Sequence, residues 1–312
     1  MSKSLRIVLG IAISGVCLWL AFRQMAWNDL SQALQSAKWI WFLPITVVYL
    51  GAHVLRCFRW SALLSPVKKI KPLDLFPLLM LGFLVNNVLP ARAGEVARAF
   101  ATSKKTAIPT STVLGSIAME RITDLIGLIA VMAIAIKVIP MDKLPLKQVA
   151  LILLGGIIGL VALIMVVRKL QDKSTPLNQT SLGKIIEFLN RLIDGFAAIR
   201  SPLMISKIAL LSLSIWMIEA VCLMTASRAF GLDLAFPQAN ALLSGISFGV
   251  MIPAAPGYIG TYEFFGKEML KLLGYLPQLS LPFLLSFHFY QMLLTSVLGI
   301  PGLIRFGMPS KT

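Results

Sequence analysis

Three groups of ionisable residues, set in an otherwise apolar chain, are the ones whose types and spacing could do chemistry. Arg92, Glu95 and Arg98 fall within seven positions, Glu120, Arg121 and Asp124 within five, and Glu263 follows Pro256-Gly257-Tyr258-Ile259-Gly260-Thr261-Tyr262. Charges at membrane depth are costly, so such clusters line a pathway or hold a ligand. Arg92 carries a planar fork suited to two phosphate oxygens. Glu95 is placed in the first turn of a helix, at its positive end. The other reading of these three is a helix cap with Arg92 and Arg98 as its ion-pair partners. Asn86 and Asn87, just upstream, either offer amides to a headgroup or cap the preceding helix.

Glu120 and Asp124, four residues apart, share a helix face, and Arg121 is three from Asp124 and can pair with it. Counted from Thr110 at ~1.5 Å per residue, Glu120 lies ~15 Å into the membrane. Two acids against one base leave a surplus carboxylate, which couples to a proton or closes on Arg92 or Arg98. Glu263 is the acid expected to face the opposing break; its other reading is a cap or a surface role. His53 and His288 are lone histidines on apolar helices and read as hydrogen-bonded packing residues, the other reading being a proton relay. Arg56, Arg59 and Trp60 read as an interfacial anchor. Cys17, Cys57 and Cys222 are scattered packing residues without disulfide or metal spacing. With no nucleotide loop, metal motif or nucleophile–base set, the chain is expected to need no cofactor or metal and not to be an enzyme.

The elements that must position these residues announce themselves as a repeated skeleton. Gly82, Pro90 and Gly94 fall in a G-x7-P-x3-G pattern that recurs 163 residues later as Gly245, Pro253 and Gly257. Pro and Gly breaks at matching places in two apolar halves point to paired broken helices of a transporter-like core. The structural breaks are Pro90 and Gly94 in segment 73–104, and Pro253, Pro256, Gly257 and Gly260 in segment 237–273. Each segment is expected to be a pair of half-helices that enters and leaves by one face.

Around them lie six candidate spans, at 5–22, 39–63, 110–137, 147–167, 203–230 and 279–304. Of the 312 residues 57% are hydrophobic and 13% charged, with mean hydropathy +0.84, which places the chain among polytopic, all-α membrane proteins. The whole chain, 1–312, reads as one transmembrane domain. It divides into a first span and loop (1–38), one repeat half (39–140), a connecting stretch (141–202) and a second half (203–308). Residues 168–202 carry a polar turn and then Ile185, Ile186, Phe188, Leu189, Leu192, Ile193 and Phe196 at helical spacing. That is either an amphipathic helix at headgroup level or a linker helix packed on the bundle.

The formal charge of +16 belongs to cytoplasmic loops facing anionic lipid rather than to nucleic-acid binding. With both termini cytoplasmic, 18 basic residues fall on the inner side, from Lys3 and Arg6 to Arg305 and Lys311. The outer side holds 8: Arg23, Lys38, Lys137, Lys143, Lys147, Arg228, Lys267 and Lys271. This orientation inverts one half relative to the other and brings the two breaks together at mid-depth, where carriers hold their substrates.

A resemblance rests on the combination of these motifs. Arg56-x2-Arg59-Trp60, Asn87-x2-Pro90-x-Arg92-x-Gly94-Glu95-x2-Arg98, Glu120-Arg121-x2-Asp124 and Pro253-x2-Pro256-Gly257-x2-Gly260-x2-Glu263 resemble the membrane region of lysylphosphatidylglycerol synthases, a flippase-like family. The likeness runs over nearly the whole chain. It implies movement of a phospholipid or a polyprenyl-phosphate-linked headgroup across a bacterial or archaeal inner membrane. The other implication is a membrane component of a lipid-headgroup modifying system. The partners implied are membrane lipids and a lipid-modifying enzyme or glycosyltransferase. Nothing resembling the synthases' soluble catalytic domain follows the last span, so lysine transfer is not expected.

Overall fold

The computed structural model describes residues 3–23, 25, 27–90, 92–136, 138, 187–188, 190–192, 194–196, 201–252 and 255–306. Among them regular structure is entirely helical, the arrangement that lets backbone in hydrocarbon satisfy its own hydrogen bonds. The helices are α1 (Lys3–Phe22), α2 (Trp27–Ser36), α3 (Phe42–Leu64), α4 (Phe76–Val88), α5 (Ala93–Thr106), α6 (Thr110–Ala135), α7 (Pro202–Arg228), α8 (Phe236–Met251), α9 (Thr261–Leu272) and α10 (Pro277–Phe306). Helices occupy five of the six expected spans. Among the described residues three stretches are long and apolar enough to cross a membrane, Trp39–Leu64, Pro202–Arg228 and Pro277–Phe306. The expected span at 147–167 lies outside the described residues. So does most of 168–202, although Gly195 sits directly against the α6 backbone at Thr112 and Ser116, which packs that piece on the bundle. The short helix α2 was not foreseen from sequence: it carries few apolar residues and is held through Ala33 and Leu34.

The first break forms where Pro90 denies α4 a continuing N–H and biases Leu89 to extended backbone (φ −112°). Arg92 then takes a left-handed conformation (φ 54°) and α5 starts. Gly94 is required at this point because the carbonyl of Gly82 occupies the place a Cβ would take. At 13 and 14 residues, α4 and α5 are each roughly 20 Å long, short of the ~30 Å of a bilayer core. They form a hairpin whose ends meet, as Lys105 Nζ donates to the Asp74 carbonyl at 2.6 Å.

The second hairpin, α8 and α9, is built alike. Its break runs through positive φ at Gly257 (64°), Tyr258 (60°) and Gly260 (95°), with Pro256 opening a short turn and Pro253 outside the described residues. Its ends meet where Tyr275 Oη donates to Gln238 Oε1 at 2.9 Å.

The hairpins open at opposite ends of the bundle. At one end Lys68 Nζ donates to the Thr106 carbonyl, and Lys105 lies over Phe306. At the other the Lys38 N–H bonds the Ala229 carbonyl, and Arg228 lies over Trp41. Between the ends, α4 runs along α10, where Gly299 and Gly302 admit Leu84 and the Pro77 carbonyl, and α8 runs along α6. Helices α3 and α7 pack together through Arg56–Glu219 and Arg59–Ser212. One apolar core gathers Ile45, Leu223, Phe283 and Phe287, and a second gathers Trp60, Leu63, Leu79, Val113 and Ile117.

Candidate functional site

The first two sequence groups converge on one ionic network where α3, α5 and α6 meet. Glu120 is its centre: Arg121 Nη2 lies 2.6 Å, Arg98 Nη2 3.1 Å and Arg59 Nη2 3.8 Å from its carboxylate. Asp124 receives Arg59 Nη1 at 2.6 Å and Arg121 Nη1 at 3.2 Å. Glu95 is held loosely, 3.5 Å from Arg121 and 4.0 Å from Arg92. Among the described residues four guanidiniums thus face three carboxylates, one positive charge in excess.

Glu120, the surplus acid of α6, closes on Arg98, one of the two outcomes expected for it. The excess of base comes from Arg59, which with Trp60 is fully buried rather than anchored at an interface. Trp60 lies under the Arg98 guanidinium, 4.2 Å to the ring centroid, and its indole N–H donates to Ser116 Oγ at 3.1 Å. Stacking and a polar tip satisfied inside the bundle account for that burial. Arg59 Nε and Arg98 Nε are buried without an acceptor among the described residues, so the network's donor capacity exceeds what its own acids use. Exposure rises outward: Arg59, Arg98 and Glu120 are buried, whereas Arg92 and Arg121 are 37% and 42% exposed. Together these two arginines form a basic rim at the positive end of α5.

The two breaks touch at this rim. Arg92 Nη2 donates to the Val250 carbonyl at 3.2 Å, which joins the start of α5 to the end of α8. Asn86 and Asn87 both serve the framework. Asn86 Oδ1 accepts the Gly94 N–H at 2.8 Å across the break, and Asn87 Nδ2 donates to the Met292 carbonyl, Thr295 and Ser296, docking α4 on α10.

Glu263 stands apart from the network. Its Oε2 accepts the Gly260 N–H at 2.7 Å, capping α9, and its Oε1 stands 2.6 Å from His288 Nδ1. His288 therefore has a hydrogen-bond partner. His53 has none among the described residues and sits edge-on between Tyr49 and Phe83. Cys17, Cys57 and Cys222 are buried and free.

Glu219 escaped the sequence reading. It binds Arg56 at 2.7 Å from the middle of an apolar helix with no charge at helical spacing around it. The signal was available: Glu219 is Arg56 displaced by the same 163 residues that relate the two glycine–proline skeletons. An apolar hollow of about 560 Å³, lined by Leu34, Trp39, Phe42, Phe289, Tyr290 and Leu293, carries no charge. Phe42 is 17 residues, roughly 25 Å, along α3 from Arg59, so this hollow does not belong to the network.

Comparison with known proteins gives the chain's family. The chain is 26% identical to a UPF0104 membrane protein of Methanocaldococcus jannaschii, over 60% of this chain and 79% of that protein. It is 24% identical to another UPF0104 membrane protein from Methanothermobacter thermautotrophicus, over 74% of this chain and 73% of the relative. A match to glycosyltransferase AglD of Haloferax volcanii, 22% identical, takes in 100% of this chain but 56% of that enzyme, so the chain spans about half its length. No solved structure matches. The model of the lysylphosphatidylglycerol synthase TM region matches residues 7–299, and the chain belongs to that family of membrane proteins.

Proposed function

We propose that this protein is a flippase-like transporter of anionic lipid headgroups, and that the headgroup phosphate is received between Arg92 and Arg121. The observation that carries this reading is the unbalanced network. An excess guanidinium inside an apolar bundle calls for an anion, and its two most exposed members are those beside the break. Glu95 holds the place. Its contacts to Arg92 and Arg121 are long, so a phosphate displaces it at little cost and gains a planar fork on each side.

The proposal includes an inverted repeat, with α3 to α6 and α7 to α10 related by an axis in the membrane plane and the two hairpins re-entrant from opposite sides. The reciprocal packing of α4 on α10 and α8 on α6, and hairpins opening at opposite ends, support this reading. In that arrangement the touching breaks form the septum of an alternating-access path.

The test is reconstitution in liposomes with a fluorescent anionic lipid and a zwitterionic control. Arg92→Gln with Arg121→Gln is expected to slow anionic translocation at least tenfold, the effect of losing about 1.4 kcal/mol of headgroup binding. Equal transport of both lipids by the unaltered protein would overturn the headgroup assignment. A second reading, a membrane component acting with a glycosyltransferase on lipid-linked carriers, is favoured by the AglD match. It predicts headgroup modification when the enzyme is added, and no movement of lipid without it.

A further inference from the structure

The two breaks differ in the kind of charge they hold. Around the first, every base is an arginine, which keeps its proton at any physiological pH. Around the second, the acid Glu263 is paired with an imidazole, the side chain that exchanges a proton near neutrality. A permanently charged site suits an anion; a titratable one suits a proton.

The pair is enclosed. The Glu263 and His288 side chains are 3% and 8% exposed, and the Tyr262 ring lies flat on the imidazole, centroids 4.0 Å apart and planes at 12°. Tyr262 Oη in turn donates to Gln291 Oε1 at 3.3 Å, which fixes the ring in place. A carboxylate oxygen and a ring nitrogen 2.6 Å apart must hold a proton between them. With that one proton the pair carries a negative charge. With a second it is neutral.

We propose that the Glu263–His288 pair is a proton-binding site that takes up and releases one proton in each transport cycle. This assignment rests on the transporter reading and supplies its coupling ion. The two protonation states differ by one unit of charge, so a change in the pair's access to water on one side shifts the balance between them.

The charged neighbours leave room for this change. On α9, Lys267 is one turn on and spends its ammonium on the Leu20 and Ala21 carbonyls of α1, 3.5 Å from Glu268; Lys271 lies at the helix end. On α1 the ionisable residues are Cys17 and, near the opposite end of the helix, Lys3 and Arg6. Helix α8 has none. On α10, Tyr290 donates to Thr46 and Arg305 lies at the far end. From α3 and α7, Tyr49 and Glu219 come within electrostatic range of Tyr262, and Glu219 is neutralised by Arg56. Tyr258 stands in the turn before α9. Among these groups, none supplies Glu263 with a permanent countercharge in contact.

The chain has two histidines, so ¹⁵N-histidine labelling reads this site almost in isolation. The measurement is a pH titration of the two imidazoles by NMR in nanodiscs, assigned with His53→Leu, for the full chain and for Glu263→Gln. That substitution keeps an acceptor for the Gly260 N–H and a hydrogen bond to His288. The His288 imidazole is expected to change protonation within the titrated range, and that change to differ in Glu263→Gln. An imidazole that does not titrate in that range, or titrates identically in Glu263→Gln, overturns the proton site.

Liposomes then test coupling. An imposed pH gradient should change the rate of lipid movement at least threefold in the unaltered protein and not in His288→Gln. Lipid movement indifferent to the gradient overturns coupling and leaves the transporter reading standing. A titrating pair in a protein that moves no lipid overturns the transporter reading and leaves the proton site.

Discussion

Within the network, burial decides what each residue is for. Asp124 joins buried Arg59 to Arg121, so Asp124→Asn strands a guanidinium inside the bundle and is expected to cost ~3–5 kcal/mol, seen as a lowered melting temperature in detergent. Glu95 is 26% exposed and held at 3.5 Å or more, so Glu95→Gln should leave melting nearly unchanged while altering lipid movement. Equal melting for both variants would show that the network is not graded by burial. The acids of this site were legible in sequence because each is a rare charge in apolar surroundings. Arg59 was not. It lies near Lys68, Lys69 and Lys71 in the chain and looked like one more interfacial cation, whereas its burial comes from α5 and α6, which meet it only in three dimensions.

Among the elements, the two hairpins were legible and their contact partners were not. A proline with flanking glycines inside an apolar run has few outcomes in hydrocarbon, so both breaks fell where the spacing put them. How they dock was hidden in side chains that read equally well as caps or ligands: Asn87 reaches across 205 residues to α10, and Glu263 turns to His288 instead of to the first break. The contact of the breaks is testable. Cysteines at Arg92 and Val250 should be joined by a short bifunctional reagent, since the Arg92 side chain reaches the Val250 carbonyl. The native cysteines are buried and should stay silent. An inserted protein that never crosslinks would separate the breaks and remove the shared septum.

For the whole molecule, the loop charges that set the expected orientation are sorted by the fold. Lys68 and Lys105 gather at one end, Lys38 and Arg228 at the other. Arg56 and Arg59, paired inside the bundle, leave the inner count, and Lys267, buried against α1, leaves the outer one, which makes it 16 against 7 and keeps its direction. A cysteine at Lys38 is expected to label with an impermeant thiol reagent in intact cells and one at Lys105 to stay protected. The reverse pattern would turn the molecule over in the membrane and exchange the sides from which the two hairpins enter.

The Arg56–Glu219 bridge carries one more consequence. On the inverted-repeat reading its partners are equivalent positions, so the axis passes between them and both stand in similar surroundings. Either single reversal, Arg56→Glu or Glu219→Arg, is then expected to lower the melting temperature sharply, and the exchanged pair to restore most of it. In a two-copy ancestor, a residue on that axis would face its own twin, and two arginines or two glutamates there would repel. A salt bridge on the dyad can be built only once the two copies differ in sequence, as the two halves of one polypeptide are free to do.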